Sequence, residues 1–183
     1  AKGGLKVTKE VKADAGLHPN LNTNFTMNFA LTPKEGQNLD PDAEYNYTVT
    51  DANGNEVSKS TIGNNGNFTL KDGQTAEIVG LPVGSNYTIT EQDPPAGYNQ
   101  TSITDNGTGK VTAGTAQEVK VTNTYAPASI TVDPFKGVKI LTGRKWRNSD
   151  HFNFKLQAVR PADAPLPGYV GTTSDGKRYT PYI

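Results

Sequence analysis

Three residues far apart in the chain have side chains that can take part in forming an amide bond: Lys9, Glu91 and Asn123. A neutral lysine amine can attack the carbon of an asparagine carboxamide. A protonated glutamic acid can meanwhile hydrogen-bond the carbonyl oxygen and carry protons between the groups. The products are a Lys–Asn isopeptide bond and one ammonia. This chemistry happens once in each chain, so it predicts a self-modifying protein rather than an enzyme with turnover.

The alternation of apolar and polar residues places these three side chains on buried strand faces. Successive side chains of a strand point to opposite faces, so residues of equal parity share a face. The apolar residues that share a face with one of the three are Leu5, Val7, Val11, Tyr87, Ile89, Val119, Val121 and Tyr125. Burial of a lone charge is costly, and it favours the uncharged forms. We therefore expect a neutral amine and a protonated acid in one core.

Short alternating runs that end in turn residues predict the strands that carry these side chains. The runs are residues 5–11, 24–31, 45–50, 67–71, 75–79, 86–91, 98–104 and 118–125. Asn53-Gly54 is a strong hairpin signal between two of them. Many short strands with regular turns predict an all-β protein, an Ig-like antiparallel β-sandwich.

The composition changes near residue 126, where alanine, proline and serine suggest a linker. After it, residues 135–141 and 152–156 repeat the pattern of 5–11 and 25–31, which indicates an internal repeat. We expect residues 1–126 to form a complete sandwich. Residues 127–183 are expected to be a linker and the truncated start of a second, similar β domain.

Charge and composition exclude several classes of function. Eighteen basic residues balance eighteen acidic ones, so no nucleic acid or membrane partner is expected. Cysteine is absent, which rules out disulfides and thiolate chemistry. The histidines, His18 and His151, have no ligand-spaced neighbours, so neither a metal nor a cofactor is expected.

The sequence resembles the isopeptide-bonded domains of Gram-positive pilins and surface adhesins, which are β-sandwiches of the collagen-adhesin B type. The resemblance covers residues 1–126. It rests on the segments 5–11, 68–73 with 80–84, 87–91 with 95–98, and 121–123. Segments 87–91 and 121–123 resemble the pilin E-box and the final strand that bears the asparagine. The resemblance implies a cross-link between Lys9 and Asn123, with Glu91 as the catalytic acid.

A further candidate lysine follows the linker. Residues 139–144 approximate the family pattern Lys-x-Leu-x-Gly-Arg, which nominates Lys139 as a cross-linking lysine of the second domain. Parity leaves Lys136 open as well. Because no second E-box and no strand with a partner asparagine or aspartate follows, no bond is expected there.

The resemblance implies a structural protein of the cell surface, extracellular and anchored to the cell wall, in a pilin or an adhesin stalk. Its partners would be other pilin or adhesin domains of the same surface protein. The alternative is an adhesin domain that binds a host matrix protein or glycan. A carbohydrate-binding accessory domain is a third class, and specific glycan binding would distinguish it.

Overall fold

The structure, a computed structural model, describes residues 1–14, 17–128, 138–154, 157, 171–172 and 178–179. The chain divides into two compact units, Ala1–Pro127 and Ala128–Ile183. Within the described ranges, no helix has the length and apolar character needed to cross a membrane.

The first unit consists of short strands and one turn of 3₁₀-helix at Thr104–Gly107. The strands are β1 (Lys2–Ala13), β2 (Phe25–Thr32), β3 (Glu44–Thr50), β4 (Glu56–Gly63), β5 (Gly66–Leu70), β6 (Thr75–Pro82), β7 (Asn86–Gln92), β8 (Tyr98–Ile103), β9 (Thr108–Lys110) and β10 (Ala116–Tyr125).

These strands form two sheets. The six-stranded sheet has the order β4-β3-β6-β1-β10-β8, and the four-stranded sheet has the order β5-β2-β7-β9. Neighbouring strands are antiparallel, with the exception of β1 and β10, which run parallel. The larger sheet is therefore mixed, with the first and last strands of the unit side by side near its middle.

The core lies between the two sheets, and this confirms the predicted all-β sandwich. Strand β2 shows the expected alternation of buried and partly buried residues along its length. Aromatic rings meet across the sheets, as where Phe29 of β2 lies edge-on to Tyr45 of β3 with centroids 6.2 Å apart. Apolar burial of this kind is the main force that holds two sheets together.

Two strands were not predicted as separate elements. The first six residues of β4 are exposed, so they lack the apolar alternation that marks a half-buried strand. The tight turn before β4 is formed by Asp51, whose Oδ1 accepts hydrogen bonds from the backbone amides of Asn53 and Asn55, each at 2.9 Å. Strand β9 has only three residues, which is too short to leave a periodic signal.

In the second unit, β11 (Gly171–Thr172) pairs antiparallel with β12 (Arg178–Tyr179). Residues 138–154 contain no strand, in contrast to the strands expected at 135–141 and 152–156. Val138 and Ile140 are 79% and 75% exposed, so these two apolar side chains are largely unpacked. Residues 135–137 and 155–156 lie outside the described residues. The assignment of 127–183 to a second β domain stays a prediction.

Candidate cross-linking site

The three predicted side chains come from three strands and from both sheets. Lys9 lies on β1 and Asn123 on the neighbouring strand β10, whereas Glu91 reaches them from β7 in the opposite sheet. Lys9 is 0% exposed, Asn123 is 0% exposed and the Glu91 side chain is 1% exposed. The structure thus brings all three together inside the core.

The register of the parallel pair explains why a lysine can reach this asparagine. Lys9 pairs with Val121, and Val11 pairs with Asn123, so the two reacting residues are offset by two positions on the same face. A lysine side chain is long enough to reach diagonally from β1 to Asn123 on β10, and most shorter side chains are not.

Each member of the cluster contacts the other two. Lys9 Nζ donates a hydrogen bond to Asn123 Oδ1 and lies 3.4 Å from Glu91 Oε1. Asn123 Nδ2 donates to Glu91 Oε2 at 2.9 Å. Glu91 therefore lies beside both nitrogens of the reaction, the amine that would attack and the amide nitrogen that would leave.

The surroundings of Lys9 favour an uncharged amine. Burial lowers the pKa of Lys9 below its ordinary value of 10.5, and the neighbouring Glu91 carboxyl opposes this effect without reversing it. Only the neutral amine has the lone pair needed for nucleophilic attack.

The orientation of Glu91 differs from the expectation in one respect. We expected its carboxyl group to hydrogen-bond the Asn123 carbonyl oxygen, but it faces the amide nitrogen, and the amine of Lys9 occupies the oxygen side. An amide nitrogen is a donor and a carboxyl oxygen is an acceptor, so this orientation pairs Asn123 Nδ2 with Glu91 Oε2. Glu91 Oε1 makes no hydrogen bond within the described part of the chain, and it lies 3.4 Å from Lys9 Nζ.

An aromatic residue that the sequence did not single out closes the site. Lys9 Nζ lies 4.3 Å from the centre of the Phe25 ring, and Phe25 in turn packs edge-on against Tyr98 with centroids 5.1 Å apart. Phe25 lies on the same face of β2 as Met27, which pairs with Glu91. A prediction of the β2–β7 pairing would have located it.

Lys139, the candidate in the second unit, has a different environment. It is exposed, and its Nζ lies 4.8 Å from the centre of the Phe152 ring. Lys136, the other candidate, lies outside the described residues. The exposure of Lys139 contrasts with the complete burial of Lys9.

The fold and the site thus define a class of protein: an all-β sandwich whose core buries the side chains of a lysine, a glutamate and an asparagine. Residues 3–125 match the family described as a domain of unknown function, DUF7601, and the chain belongs to this family. The matched segment contains Lys9, Glu91 and Asn123.

Several solved structures are similar to the chain, whereas no curated protein matches it. A major pilin of Streptococcus pyogenes is 23% identical with a TM-score of 0.45, over 66% of this chain and 46% of the pilin. The major pilin T3.2 of the same organism is 26% identical with a TM-score of 0.47, over 68% and 45%. The pilus-presented adhesin Cpa is 20% identical with a TM-score of 0.48, over 69% and 28%. The chain thus spans less than half the length of each.

Proposed function

We propose that the first unit forms an isopeptide bond between Lys9 and Asn123, and that Glu91 carries the protons of this reaction. The observation that carries the proposal is the mutual contact of three fully buried polar side chains. Such a cluster is costly to bury unless it is paired or converted to an uncharged product. An amide bond removes the amine and relieves that cost.

In the proposed reaction, Lys9 Nζ attacks Asn123 Cγ, and the new C–N bond forms as the bond between Cγ and Nδ2 breaks. Glu91 accepts the proton that the amine loses and delivers a proton to the departing nitrogen, which leaves as ammonia. The carboxyl group ends in its starting state, and no oxidant or further reactant is needed. Its two oxygens lie 3.4 Å from the attacking nitrogen and 2.9 Å from the leaving nitrogen, which suits this transfer.

The position of the bond supports a structural role. It would join the first and last strands of the unit, which are adjacent and parallel, so tension that enters through β1 would leave through β10 by a covalent route. This geometry, together with the resemblance of segments 87–91 and 121–123 to isopeptide-bonded domains, supports a module of a Gram-positive surface protein. We propose an extracellular pilin or adhesin stalk that assembles with other domains of its kind.

The intact mass of the purified chain tests the bond directly. We expect a mass that is lower than the sequence mass by one ammonia, and a Lys9–Asn123 linked peptide after proteolysis. Lys9→Ala and Asn123→Ala should each abolish this loss. Lys6→Ala is the matched control, because Lys6 lies on the same strand with its side chain on the opposite face, and it should retain the loss. A wild-type mass equal to that of the sequence would contradict the proposal.

A further inference from the structure

The ladder between β1 and β6 ends one residue before the cross-linking lysine. Its last pair is Thr8 with Thr75, where the two hydroxyl groups are 2.8 Å apart. Strand β1 continues to Ala13 with β10 on one side. On the other side, the backbone groups from Lys9 onward need partners from outside the β6 ladder.

The turn between β5 and β6 supplies those partners. The Lys9 amide donates to the Gln74 carbonyl at 2.9 Å, and the Lys9 carbonyl accepts from the Gly73 amide at 2.9 Å. Two residues further on, the Val11 amide donates to Asp72 Oδ1 at 2.7 Å. A side-chain carboxylate thus takes the place of a strand carbonyl, and the backbone of β1 is held on both flanks of the lysine.

The turn can do this because its own shape is fixed. The Gln74 amide donates to the Lys71 carbonyl at 3.1 Å, and the Lys71 amide donates to Gln74 Oε1 at 2.8 Å. Gly73 has a φ of +75°, a backbone conformation that is strained for residues with a Cβ atom and that glycine adopts freely. The Asp72 carboxylate is therefore presented to β1 from a defined position.

We propose that Asp72 is a positioning residue for the Lys9–Asn123 bond. This inference rests on the proposed function. The amine of a lysine is at the end of a flexible side chain, so its approach to the Asn123 carboxamide depends on where the backbone places the Cα atom. Asp72 fixes the backbone immediately beyond Lys9, where β6 no longer does so. Small losses of alignment between reacting groups have large effects on rate.

The charge of Asp72 works against the proposed reaction, whereas its hydrogen bond to β1 supports it. Together with Glu91 on β7 and Glu10 on β1, the Asp72 carboxylate raises the pKa of Lys9 against the stronger effect of burial. A charge that favours the ammonium form does not help a nucleophilic amine. The acceptor oxygen of Asp72 is therefore the part that serves the reaction, and the two effects can be separated by substitution.

The test is the rate of bond formation in the full chain. Unbonded protein is isolated in denaturant from inclusion bodies and refolded by dilution, and samples are quenched in denaturant for intact-mass measurement of ammonia loss. Circular dichroism on the same samples gives the folded fraction, so that the rate refers to folded protein. We expect Asp72→Ala to slow bond formation roughly ten- to a hundredfold. Asp72→Asn, which keeps the acceptor oxygen without the charge, should be at least as fast as wild type.

Two comparisons separate positioning from general stability. Asp51→Ala removes a carboxylate that also accepts backbone hydrogen bonds in a turn, and its hydrogen-bond partners are Asn53 and Asn55 of that same turn. It should lower stability and leave the rate unchanged. Asp72→Glu keeps the charge and displaces the carboxylate, so its bond should form more slowly than that of Asp72→Asn. If Asp72→Ala does not fold, Asp72→Glu takes its place in the comparison.

The outcomes distinguish this inference from the proposed function. A wild-type chain that never loses ammonia overturns the proposed function itself. A wild-type chain that forms the bond, with Asp72→Ala equally fast or Asp72→Asn as slow as Asp72→Ala, overturns only the role of Asp72.

Discussion

The substitution Glu91→Gln tests the proposed chemistry with little change in shape. Glutamine matches glutamate in size and can still hydrogen-bond the Asn123 amide, but it cannot carry a proton between two nitrogens. Lys9 and Asn123 stay in place. We therefore expect a chain that folds but keeps the full sequence mass.

The expected loss of stability follows from the length of chain that the bond closes. Lys9 and Asn123 are 114 positions apart. If the amide constrains the unfolded chain as a disulfide does, a loop of this length contributes about 5 kcal/mol to the free energy of unfolding. For a unit of this size, that corresponds to a fall in melting temperature of roughly 15–20 °C.

Thermal unfolding followed by circular dichroism measures this difference, with intact mass to confirm the bond state. The control is the double variant Lys9→Met and Glu91→Gln, which also lacks the bond but leaves no ammonium buried without a carboxylate. The difference in melting temperature between wild type and this double variant isolates the contribution of the bond to stability most closely. The reasoning is refuted if Glu91→Gln loses ammonia at the wild-type rate, or if both bond-free variants melt at the wild-type temperature.

Two further predictions use the same variants. In bond-free Glu91→Gln, burial still lowers the pKa of Lys9, so the unfolded chain binds more protons than the native chain between the lowered value and 10.5. The free energy of unfolding of Glu91→Gln relative to that of the double variant should then rise with pH in that range, by at most about 1.4 kcal/mol per pH unit. Denaturant titrations at several pH values measure this difference. A difference that does not change with pH would contradict the prediction. In single-molecule stretching between the ends of the first unit, wild type should show no release of the chain between Lys9 and Asn123. Glu91→Gln should release it with an extension on the order of 400 Å, and equal traces would count against the mechanical role.

Local periodicity was sufficient to predict the burial of the site residues. Lys9 shares a strand face with Leu5 and Val7, and a continuous apolar face leaves its polar member no route to water. The same reasoning located Glu91 and Asn123, and all three are buried in the structure. Their roles in bond formation stay a prediction, as does the role of Lys139.

Contacts between distant segments could not be predicted in this way. Alternation says which face a side chain is on, but not which strand lies beside it, so the parallel pairing of β1 with β10 was not predicted. The hydrogen bond from Val11 to Asp72 depends on where one ladder ends and a turn begins. In the second unit, the pattern at 135–141 predicts a strand, but a strand also needs partners, and Val138 and Ile140 are largely exposed.

The parallel arrangement of β1 and β10 also divides the first unit into regions that would bear different loads. With the bond in place, a pulling force acts on the start of β1 up to Lys9 and on β10 from Asn123 onward. Both stretches are already extended as strands, so a bonded unit would lengthen little under tension. The loops and strands between residues 10 and 122 carry none of the force. Substitutions on their surfaces would therefore leave the strength of the bonded chain along its length unchanged.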